Sequence, residues 1–463
     1  MKKISKEHVF LGIVIVLGLL ISLLFCDENP ARLIVILLSL IFLLGSYFFT
    51  KNLLLSSFLY ILITLPLNIT SQLPQSVHIF EQLFALYDPY VDGVYVNYLV
   101  PTLSILDLGA VLLLFSSLLA NGRKKFVEIF KKYGIVLPLF IVFLLLQNLL
   151  LKDSLILLNS ARLILYIFGF LTLVEFFKTE KKKYTKTILA VPIGSVLIQG
   201  TIGILQFTGG SSLGLSFFGE SQVVSGMQGS SFVTLSGEVF LRAYGTFPHP
   251  NLFAGYLLFN ILLALSLLNT KEKKLKILSY ILLFCSFVPL LFTFSRISIL
   301  LAVIVLLVFF GAKVLKGKLF VFSLPLFIER FVNLFSSGDT SWQDRINLAK
   351  ASIKVIKENW LSGIGIGNFV KGMEGSVPRS VNDVLLLQPV HNFFLLTFSE
   401  LGLIGFGLYM WLLVKICSKN ILRFTLFTAL VLGCLFVLIS FDHYAFSLPQ
   451  GITVFFLFFL LLF

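Results

Sequence analysis

The chain has little charge and few cysteines for its length. Charged residues make up 13% of the 463 positions, whereas 58% are hydrophobic and 51 are phenylalanine. So small a polar fraction cannot cover a water-soluble globule of this size, which excludes a soluble globular protein. The cysteines show no paired spacing, so neither a disulfide framework nor a zinc site is predicted. They are Cys26, Cys285, Cys417 and Cys434.

Long apolar runs recur from one end of the chain to the other. Most have about 17 to 22 residues, enough to cross roughly 30 Å of hydrocarbon as a helix. The run at 319–335 contains Pro325, Glu329 and Arg330, so an interfacial helix is an alternative there. The sequence predicts an all-α polytopic integral membrane helix bundle of about 12 to 14 helices. The predicted spans are 9–25, 32–49, 52–67, 99–120, 134–151, 157–177, 187–208, 251–269, 277–294, 297–312, 319–335, 393–414, 421–440 and 450–463.

The basic residues are distributed unevenly between the two sides of this bundle. With the N-terminus inside, 24 of the 36 Lys and Arg residues fall in the N-terminal segment and the cytoplasmic connections. Short cytoplasmic loops are rich in Lys and Arg, so this orientation is predicted. The net charge of +14 is then mainly a topology signal, and no nucleic-acid partner is expected.

Three predicted outer segments are longer than a turn: 68–98, 209–250 and 336–391. We expect function in such loops, because a rigid scaffold can position their side chains. The first is rich in Tyr, Pro and Asp, which fits either stacking on sugars or a simple cap.

The second outer segment ends in Arg-Ala-Tyr-Gly-Thr-Phe-Pro-His-Pro-Asn at 242–251. Arg242 and His249 are candidates for ligand contact, since both lie at the membrane surface. The alternative is a helix-start element, in which the prolines fix the backbone and Asn251 caps the next span.

The third outer segment is predicted to be partly helical. An apolar stripe with spacings of three and four residues is typical of a helix that lies on a bilayer or on the protein rim. Arg345 lies near this stripe and is expected to face the protein. The glycines at 363, 365 and 367 predict a flexible turn and not a nucleotide site, because no strand precedes them and no Gly-Lys-Ser/Thr follows. The stripe comprises Trp342, Ile346, Ala349, Ile353, Ile356 and Trp360.

Charged residues inside predicted spans are costly unless they are paired or functional. Arg162 and Asp107 lie in the spans at 157–177 and 99–120, and a structural pair between them is one possibility. Glu400 is nine residues beyond His391, which places it on the opposite helix face and roughly 13 Å deeper. The two therefore form no dyad, and Glu400 is expected to be structural.

Other polar residues stand at the outer membrane boundary. Arg296 falls at the tight connection between two predicted spans, and His391 stands at the outer start of 393–414. Asp442 and His443, at the outer end of 421–440, are the main rivals of His391 for a catalytic role.

Arginine and histidine at an outer membrane surface suit one kind of chemistry. The guanidinium fork binds two phosphate oxygens at once, and imidazole can take a proton from a hydroxyl near neutral pH. Together they supply the minimum for displacing a lipid diphosphate from a sugar carbon. No acid pair with metal-ligand spacing occurs in the outer segments, so no metal and no cofactor are expected.

Several motifs, in this order and on one predicted side, resemble the O-antigen ligase and O-antigen polymerase superfamily. They are Gly-Thr-Phe-Pro-His-Pro-Asn at 245–251, Thr-Phe-Ser-Arg at 293–296, the helical segment at 345–360 followed by Ser-Gly-Ile-Gly-Ile-Gly-Asn-Phe, and Pro-Val-His-Asn-Phe at 389–393. The resemblance covers roughly 200–450. It suggests N-terminal transmembrane helices at 1–190 and a catalytic membrane region at 191–463 that includes the outer loop 336–391.

The resemblance implies a metal-independent glycosyltransferase in the bacterial cytoplasmic membrane, with its active site on the extracytoplasmic face. Its donor would be an undecaprenyl-diphosphate-linked oligosaccharide, and its acceptor a hydroxyl of a glycan, lipid or wall polymer. By the same likeness, Arg296 and Arg345 grip the diphosphate, and His391 acts as base or orients the acceptor. The further substrate-binding candidates are Arg242, His249, Asn251 and Asn392.

The sequence leaves two sets of alternatives open. A ligase, a polymerase and a protein O-glycosylating enzyme would share all of these residues. A transporter or lipid-linked glycan flippase is the alternative function, and it predicts charges along a central path between repeated halves. Here the candidate residues gather at the outer ends of the late spans, and repeated halves are not evident.

Overall fold

The computed structural model describes residues 30–79, 82–227, 229–235, 238–314, 340–381, 383–421 and 424–462, together with positions 12, 14 and 16. Most of the predicted span 9–25 and all of 319–335 lie outside the described residues.

The described part of the chain is mainly α-helical. Its helices are α1 Pro30–Thr50, α2 Leu53–Thr64, α3 Ile105–Tyr133, α4 Val136–Leu151, α5 Ser154–Gly209, α6 Pro250–Leu267, α7 Lys273–Phe292, α8 Arg296–Val314, α9 Thr340–Glu358, α10 Phe393–Asn420, α11 Leu426–Phe441, α12 Tyr444–Ser447 and α13 Pro449–Leu460.

Short strands occur only between helices in the described residues. They are β1 Thr70–Gln72, β2 Ser76–Ile79, β3 Gln82–Ala85, β4 Tyr90–Val91, β5 Val94–Tyr95, β6 Thr102–Ser104, β7 Phe232–Leu235 and β8 Glu238–Leu241. They form four two-stranded antiparallel sheets, which pair β1 with β6, β2 with β3, β4 with β5 and β7 with β8.

The helices confirm a polytopic helical membrane protein. Helices suit a membrane because they satisfy their own backbone hydrogen bonds within the hydrocarbon. Six described helical segments are long and apolar enough to cross it, or seven if the bent pair of α3 and α4 counts as one span. Five shorter apolar helices of 10–17 residues accompany them, so the count of fourteen spans stays a prediction. The six are Ala31–Thr50, Ser154–Glu180, Lys183–Gly209, Pro250–Leu267, Lys273–Phe292 and Phe393–Lys419.

The basic connections predicted to be cytoplasmic contact one another. Lys132 at the end of α3 pairs with Glu175 of α5, and Lys186 of α5 pairs with Glu272 just before α7. The segment around 178–186 is itself helical, and the apolar segments on either side of it, Ser154–Glu180 and Lys183–Gly209, are separate candidate spans.

The predicted outer loops 68–98 and 336–391 also contact each other. Lys371 donates to Oδ2 of Asp88 at 2.8 Å, and the backbone N–H of Gly375 donates to Oδ1 of Asp92 at 2.9 Å. These contacts give the first loop a structural role as part of a cap, one of the two readings left open by its composition.

The predicted pair of Arg162 and Asp107 is confirmed. Nε and Nη2 of Arg162 each donate to a carboxylate oxygen of Asp107 at 2.8 Å, and Tyr166 donates to Oδ1 at 2.9 Å. Asp107 also closes the capping box at the start of α3 with Ser104. The bidentate geometry and the additional donor offset the cost of burying both charges.

Helix α10 contains a break that the sequence analysis did not predict. Gly402 has φ 63° and ψ −174°, which is not helical. The loop after α9 takes up the freed backbone groups: Leu403 N donates to the carbonyl of Trp360 at 2.7 Å, and Gly365 N donates to that of Glu400 at 2.9 Å. The loop after α9 is thus hydrogen-bonded to the middle of α10.

The glycines of this loop form a packed turn and not the flexible one predicted. Gly363, Gly365 and Gly367 all have φ between 70° and 92°. A Cβ on Gly363 would approach the carbonyl oxygen of Glu400 to 2.3 Å, which leaves no room for a side chain. Glu400 has the structural role predicted for it, since its carboxylate accepts from the N–H of Phe369 at 3.3 Å.

Helix α9 has two apolar faces, of which the sequence analysis identified one. Leu348, Ser352 and Val355 are buried, and Ser352 lies 3.0 Å from Ser399 of α10. In the predicted stripe, by contrast, Trp342 is 41% and Trp360 is 53% exposed. Much of the stripe is therefore exposed, which fits a surface that faces lipid.

Candidate active site

Arg242 ties together three segments that are distant in sequence. It directly follows β8, whose hairpin with β7 places it next to the start of α6. Its Nε donates to the carbonyl of Thr293 at 2.7 Å, and its Nη2 donates to Oδ1 of Asn251 at 2.7 Å. Arg242 thereby fixes the turn before Arg296 against the first turn of α6.

Three arginines line a single cavity of about 320 Å³. Arg242 contributes from the end of β8, Arg296 from the first residue of α8 and Arg345 from the first turns of α9. Burial lowers the pKa of Arg242 to about 10, and the charges of Arg296 and Arg345 act in the same direction. All three guanidinium groups stay charged at neutral pH, so the cavity is suited to an anion.

The rest of the cavity wall is largely apolar. Phe294 and Trp342 line the cavity, and further apolar side chains come from α11 and α13. The cavity thus combines three arginines with apolar side chains that suit a hydrocarbon chain. The apolar side chains from α11 and α13 are Leu435, Leu438, Ile439, Val454, Phe455 and Phe458.

Asp442 connects this cavity to His391. It lines the cavity at the end of α11, and its Oδ1 lies 3.8 Å from Nδ1 of His391. Burial alone would raise the pKa of Asp442, but the adjacent His391 lowers it below its usual range. Asp442 is therefore ionised, and its charge can orient His391 and stabilise its protonated form.

His443 lies next to the same pair. Its ring centroid is 5.1 Å from that of His391, and its Nδ1 is 2.6 Å from Oγ of Ser447. The His443 side chain is fully buried, and burial lowers its pKa to about 3. A histidine with so low a pKa stays neutral near pH 7, which makes it a weaker candidate than His391 for a general base.

With this geometry in place, we compared the chain with known proteins. Residues 259–410 match the family model described as O-antigen ligase. The match confirms the resemblance that the motifs predicted to the O-antigen ligase and O-antigen polymerase superfamily, and the helices are those of a multi-pass membrane protein. No curated protein matches the chain significantly.

The O-antigen ligase match includes only part of the site. Arg296, Arg345 and His391 fall inside the matched residues, whereas Arg242 and Asp442 fall outside them. The fold brings Arg242 and Asp442 close to Arg296 and Arg345, since all four residues line the same cavity.

Two residues at the start of α6 have roles that differ from those predicted from the sequence. His249 caps this helix: its Nδ1 accepts from the N–H of Asn251 at 3.1 Å. Asn251, which was predicted as the cap, lies in the first turn and lines the cavity. Its amide donates to Oδ2 of Asp442 at 3.3 Å while its oxygen accepts from Arg242. The cap prediction for Asn251 was wrong because the helix begins at Pro250, one residue earlier than expected.

Two other predicted substrate-binding residues, His249 and Asn392, are not among the residues that line the cavity. His249 contacts Oγ of Ser231 through Nε2 at 3.2 Å, and its ring packs 5.3 Å from that of Tyr444. Burial lowers the pKa of His249 to about 3, so it stays neutral at pH 7. Asn392 caps α10 through Leu395 N and donates to the carbonyl of Ser440 at 2.8 Å. Both residues support the site without lining the cavity.

Sequence alone did not show that Asp442 lies at the centre of the site, between the cavity and His391. Asp442 and His443 were expected to be rivals of His391, whereas the fold brings all three together. The usable signal was an acidic residue directly after an apolar span, which is costly without a partner. Trp342 was identified only as part of the exposed stripe, although it also lines the cavity beside Arg345.

Proposed function

We propose that the protein transfers a glycan from an undecaprenyl-diphosphate-linked donor to a hydroxyl acceptor, on the extracytoplasmic face and without a metal ion. The observation that carries this proposal is the convergence of Arg242, Arg296 and Arg345 on one cavity with an apolar wall. A lipid diphosphate has the matching shape, because its charged group is small and its chain is purely apolar.

The three arginines can replace the divalent cation that often neutralises a diphosphate. Guanidinium groups bind phosphate oxygens in pairs, and their charges are fixed before the substrate arrives. Such preorganised charges stabilise the negative charge that develops on a leaving group. The charges of Arg296 and Arg345 both act on Arg242, so the three positive charges lie close together and all of them can stabilise an anionic substrate.

The proposed reaction is a single displacement. The acceptor oxygen forms a bond to the anomeric carbon of the donor sugar, and the bond from that carbon to the diphosphate oxygen breaks. The lipid diphosphate leaves with the bonding electrons and is held by the arginines. The hydroxyl proton passes to His391, whose positive charge Asp442 then stabilises.

The extracytoplasmic location rests on the distribution of charge along the helices. Arg296 begins α8, His391 lies two residues before α10 and Asp442 directly follows α11. Asp442 lines the same cavity as Arg296 and lies 3.8 Å from His391, so all three stand at one end of the bundle. The paired basic segments at Lys132 and Lys186 stand at the other ends of their spans. Since Lys-rich connections are cytoplasmic, the cavity is assigned to the opposite face.

The acceptor defines three versions of this activity, namely ligase, polymerase and protein O-glycosylating enzyme. They share the donor site and the proton transfer, and differ only in which hydroxyl enters beside His391.

A reconstituted assay tests the proposal. Purified protein in liposomes receives a glycan on undecaprenyl diphosphate, with a panel of hydroxyl acceptors, in the presence of EDTA. We expect transfer with release of undecaprenyl diphosphate. Loss of the reaction with EDTA and its recovery with Mg²⁺ would overturn the metal-independent mechanism. Movement of intact donor across the bilayer without cleavage would favour a flippase instead.

A further inference from the structure

His391, Asp442 and His443 form a cluster of potential metal ligands. One ligand atom from each residue lies within 4.8 Å of those from the other two. Nδ1 of His391 and Nε2 of His443 are buried and have no hydrogen-bond partner among the described residues. Buried polar atoms are almost always paired, so two unpaired imidazole nitrogens next to a carboxylate require an explanation.

We propose that these three residues bind a divalent transition-metal cation of the Zn²⁺ class, and that the bound ion blocks transfer. Two imidazole nitrogens and one carboxylate oxygen are a ligand set that Zn²⁺ commonly takes, with a fourth position left for water or substrate. The binding claim stands on geometry alone. The inhibition rests on the proposed function, because a metal ion bound to His391 would prevent this residue from acting as the base.

The surroundings of His443 are arranged as for a metal ligand. Its Nδ1 contacts Oγ of Ser447 at 2.6 Å, so a proton on Nδ1 leaves the lone pair on Nε2. Ligating histidines usually donate their other ring N–H in this way, which fixes the ring and the tautomer. The His443 side chain is fully buried, so the ring is also held by packing.

The ligand atoms lie within 4.8 Å of one another, so binding one ion requires them to move closer together by up to about 1.5 Å. Ligand atoms around one tetrahedral Zn²⁺ are roughly 3.3 Å apart, as follows from bond lengths near 2.0 to 2.1 Å. Nδ1 of His391 is already 3.8 Å from Oδ1 of Asp442. These two side chains are 14% and 19% exposed, which gives an ion a route to the buried His443.

The charge of Arg345 sets a limit on affinity. Arg345 lines the same cavity as Asp442, so its positive charge would repel a bound metal cation. The ionised Asp442 supplies the opposing charge. This balance favours a cation that gains bond strength from imidazole, such as Zn²⁺, over Mg²⁺ or Ca²⁺, which prefer oxygen ligands.

Cobalt binding to the purified full-length protein tests the site directly. Co²⁺ is added to the protein in detergent, and its visible absorption reports the coordination number. We expect saturable binding of one ion with the strong bands of a four-coordinate site, which one equivalent of Zn²⁺ displaces. His443→Gln should weaken binding at least about tenfold, and His78→Gln, in the outer strand β2, should leave it unchanged. Absence of saturable binding, or equal binding in His443→Gln, would overturn the proposed site.

A second variant covers the case in which His443→Gln does not fold. Ser447→Ala removes only the partner of His443 Nδ1, and it should reduce Zn²⁺ affinity by roughly 10-fold to 100-fold. Unchanged Zn²⁺ affinity in a folded Ser447→Ala protein would contradict the arrangement described here.

The liposome assay tests the inhibitory claim separately. Zn²⁺ should stop transfer at the concentration that saturates the Co²⁺ site, EDTA should restore it, and Ser447→Ala should require correspondingly more Zn²⁺. Transfer that continues at saturating Zn²⁺ would refute inhibition while the binding site stands. A protein that binds Co²⁺ as expected yet never transfers glycan would refute the proposed function and not the site.

Discussion

The side-chain amide of Asn251 donates to Oδ2 of Asp442 at 3.3 Å, although 191 positions separate the two residues in the chain. Through Asn251, Asp442 is also linked to Arg242, which donates to the Asn251 oxygen at 2.7 Å. These two hydrogen bonds therefore connect Arg242, in the cavity wall, to the carboxylate beside His391. The parts of the site that are proposed to bind phosphate and to transfer the proton therefore share a common support.

Replacing His391 should remove the proposed base. His391→Ala is expected to lower the rate of transfer by about 10²-fold to 10⁴-fold, while the protein still inserts and binds donor. The measurement is glycan transfer in liposomes, with donor binding followed in parallel. His78→Ala, in the outer strand β2, is the matched control. Wild-type activity in His391→Ala would remove His391 from the mechanism.

Arg345 should matter through its fork and not only through its charge. Arg345→Ala is expected to lower transfer by about 10²-fold to 10³-fold, because one preorganised donor to the leaving group is lost. Arg345→Lys keeps the charge but not the paired donors, so it should recover only part of the rate. The control is Arg379→Ala, at an exposed ion pair with Asp383 in the same outer loop. Full activity in Arg345→Lys would reduce the role of Arg345 to simple charge.

Asp442 should act on the protonation of its neighbour. Asp442→Asn keeps the shape but removes the negative charge 3.8 Å from Nδ1 of His391. We expect a lower maximal rate and an acid limb of the pH–rate profile that moves to lower pH, because protonating the imidazole becomes less favourable. Asp383→Asn, at an exposed carboxylate, provides the comparison. A rate loss with an unchanged pH profile would indicate a purely structural role for Asp442.

The buried His249 should make stability depend on pH. Burial lowers its pKa from the usual value of 6.5 to about 3 in the folded protein. Between these two values the unfolded chain binds a proton that the folded protein does not, so stability falls as pH drops from neutral towards pH 3. The slope is at most about 1.4 kcal/mol per pH unit for this group. It is checked by melting temperatures in detergent between pH 7 and pH 4.

His249→Gln isolates this contribution. The variant keeps a hydrogen-bonding side chain at the cap and removes the titration. Its melting temperature should be lower at pH 7 but should fall less steeply with acid. An identical pH dependence in both proteins would show that His249 does not stay neutral in the folded state.

The sequence identified the arginines of the site by their position. Arg242 and Arg296 stood out at the edge of predicted spans and Arg345 near the apolar stripe of an outer helix, and the structure brings all three to one cavity. The buried pair of Arg162 and Asp107 followed from the same argument, since each charge lay in a predicted span and needed a partner.

Contacts between segments that are distant in the chain could not be predicted from the sequence. Nothing in the spacing of Asn251, His391 and Asp442 shows that they meet, because helix packing and not local periodicity decides it. Helix α9 posed a related problem, since its buried face at Leu348 and Val355 and its exposed stripe at Trp342 are both apolar. Hydrophobicity alone could not decide which face would turn inward.

The break at Gly402 also shows how the site keeps its dimensions. The loop that leaves α9 is bonded into the gap in α10, so the helix carrying Arg345 and the helix that follows His391 share one backbone joint. A shift of either helix along its axis would break these hydrogen bonds. The distance between Arg345 and His391 is thus held by backbone hydrogen bonds, independent of the thickness of the surrounding lipid.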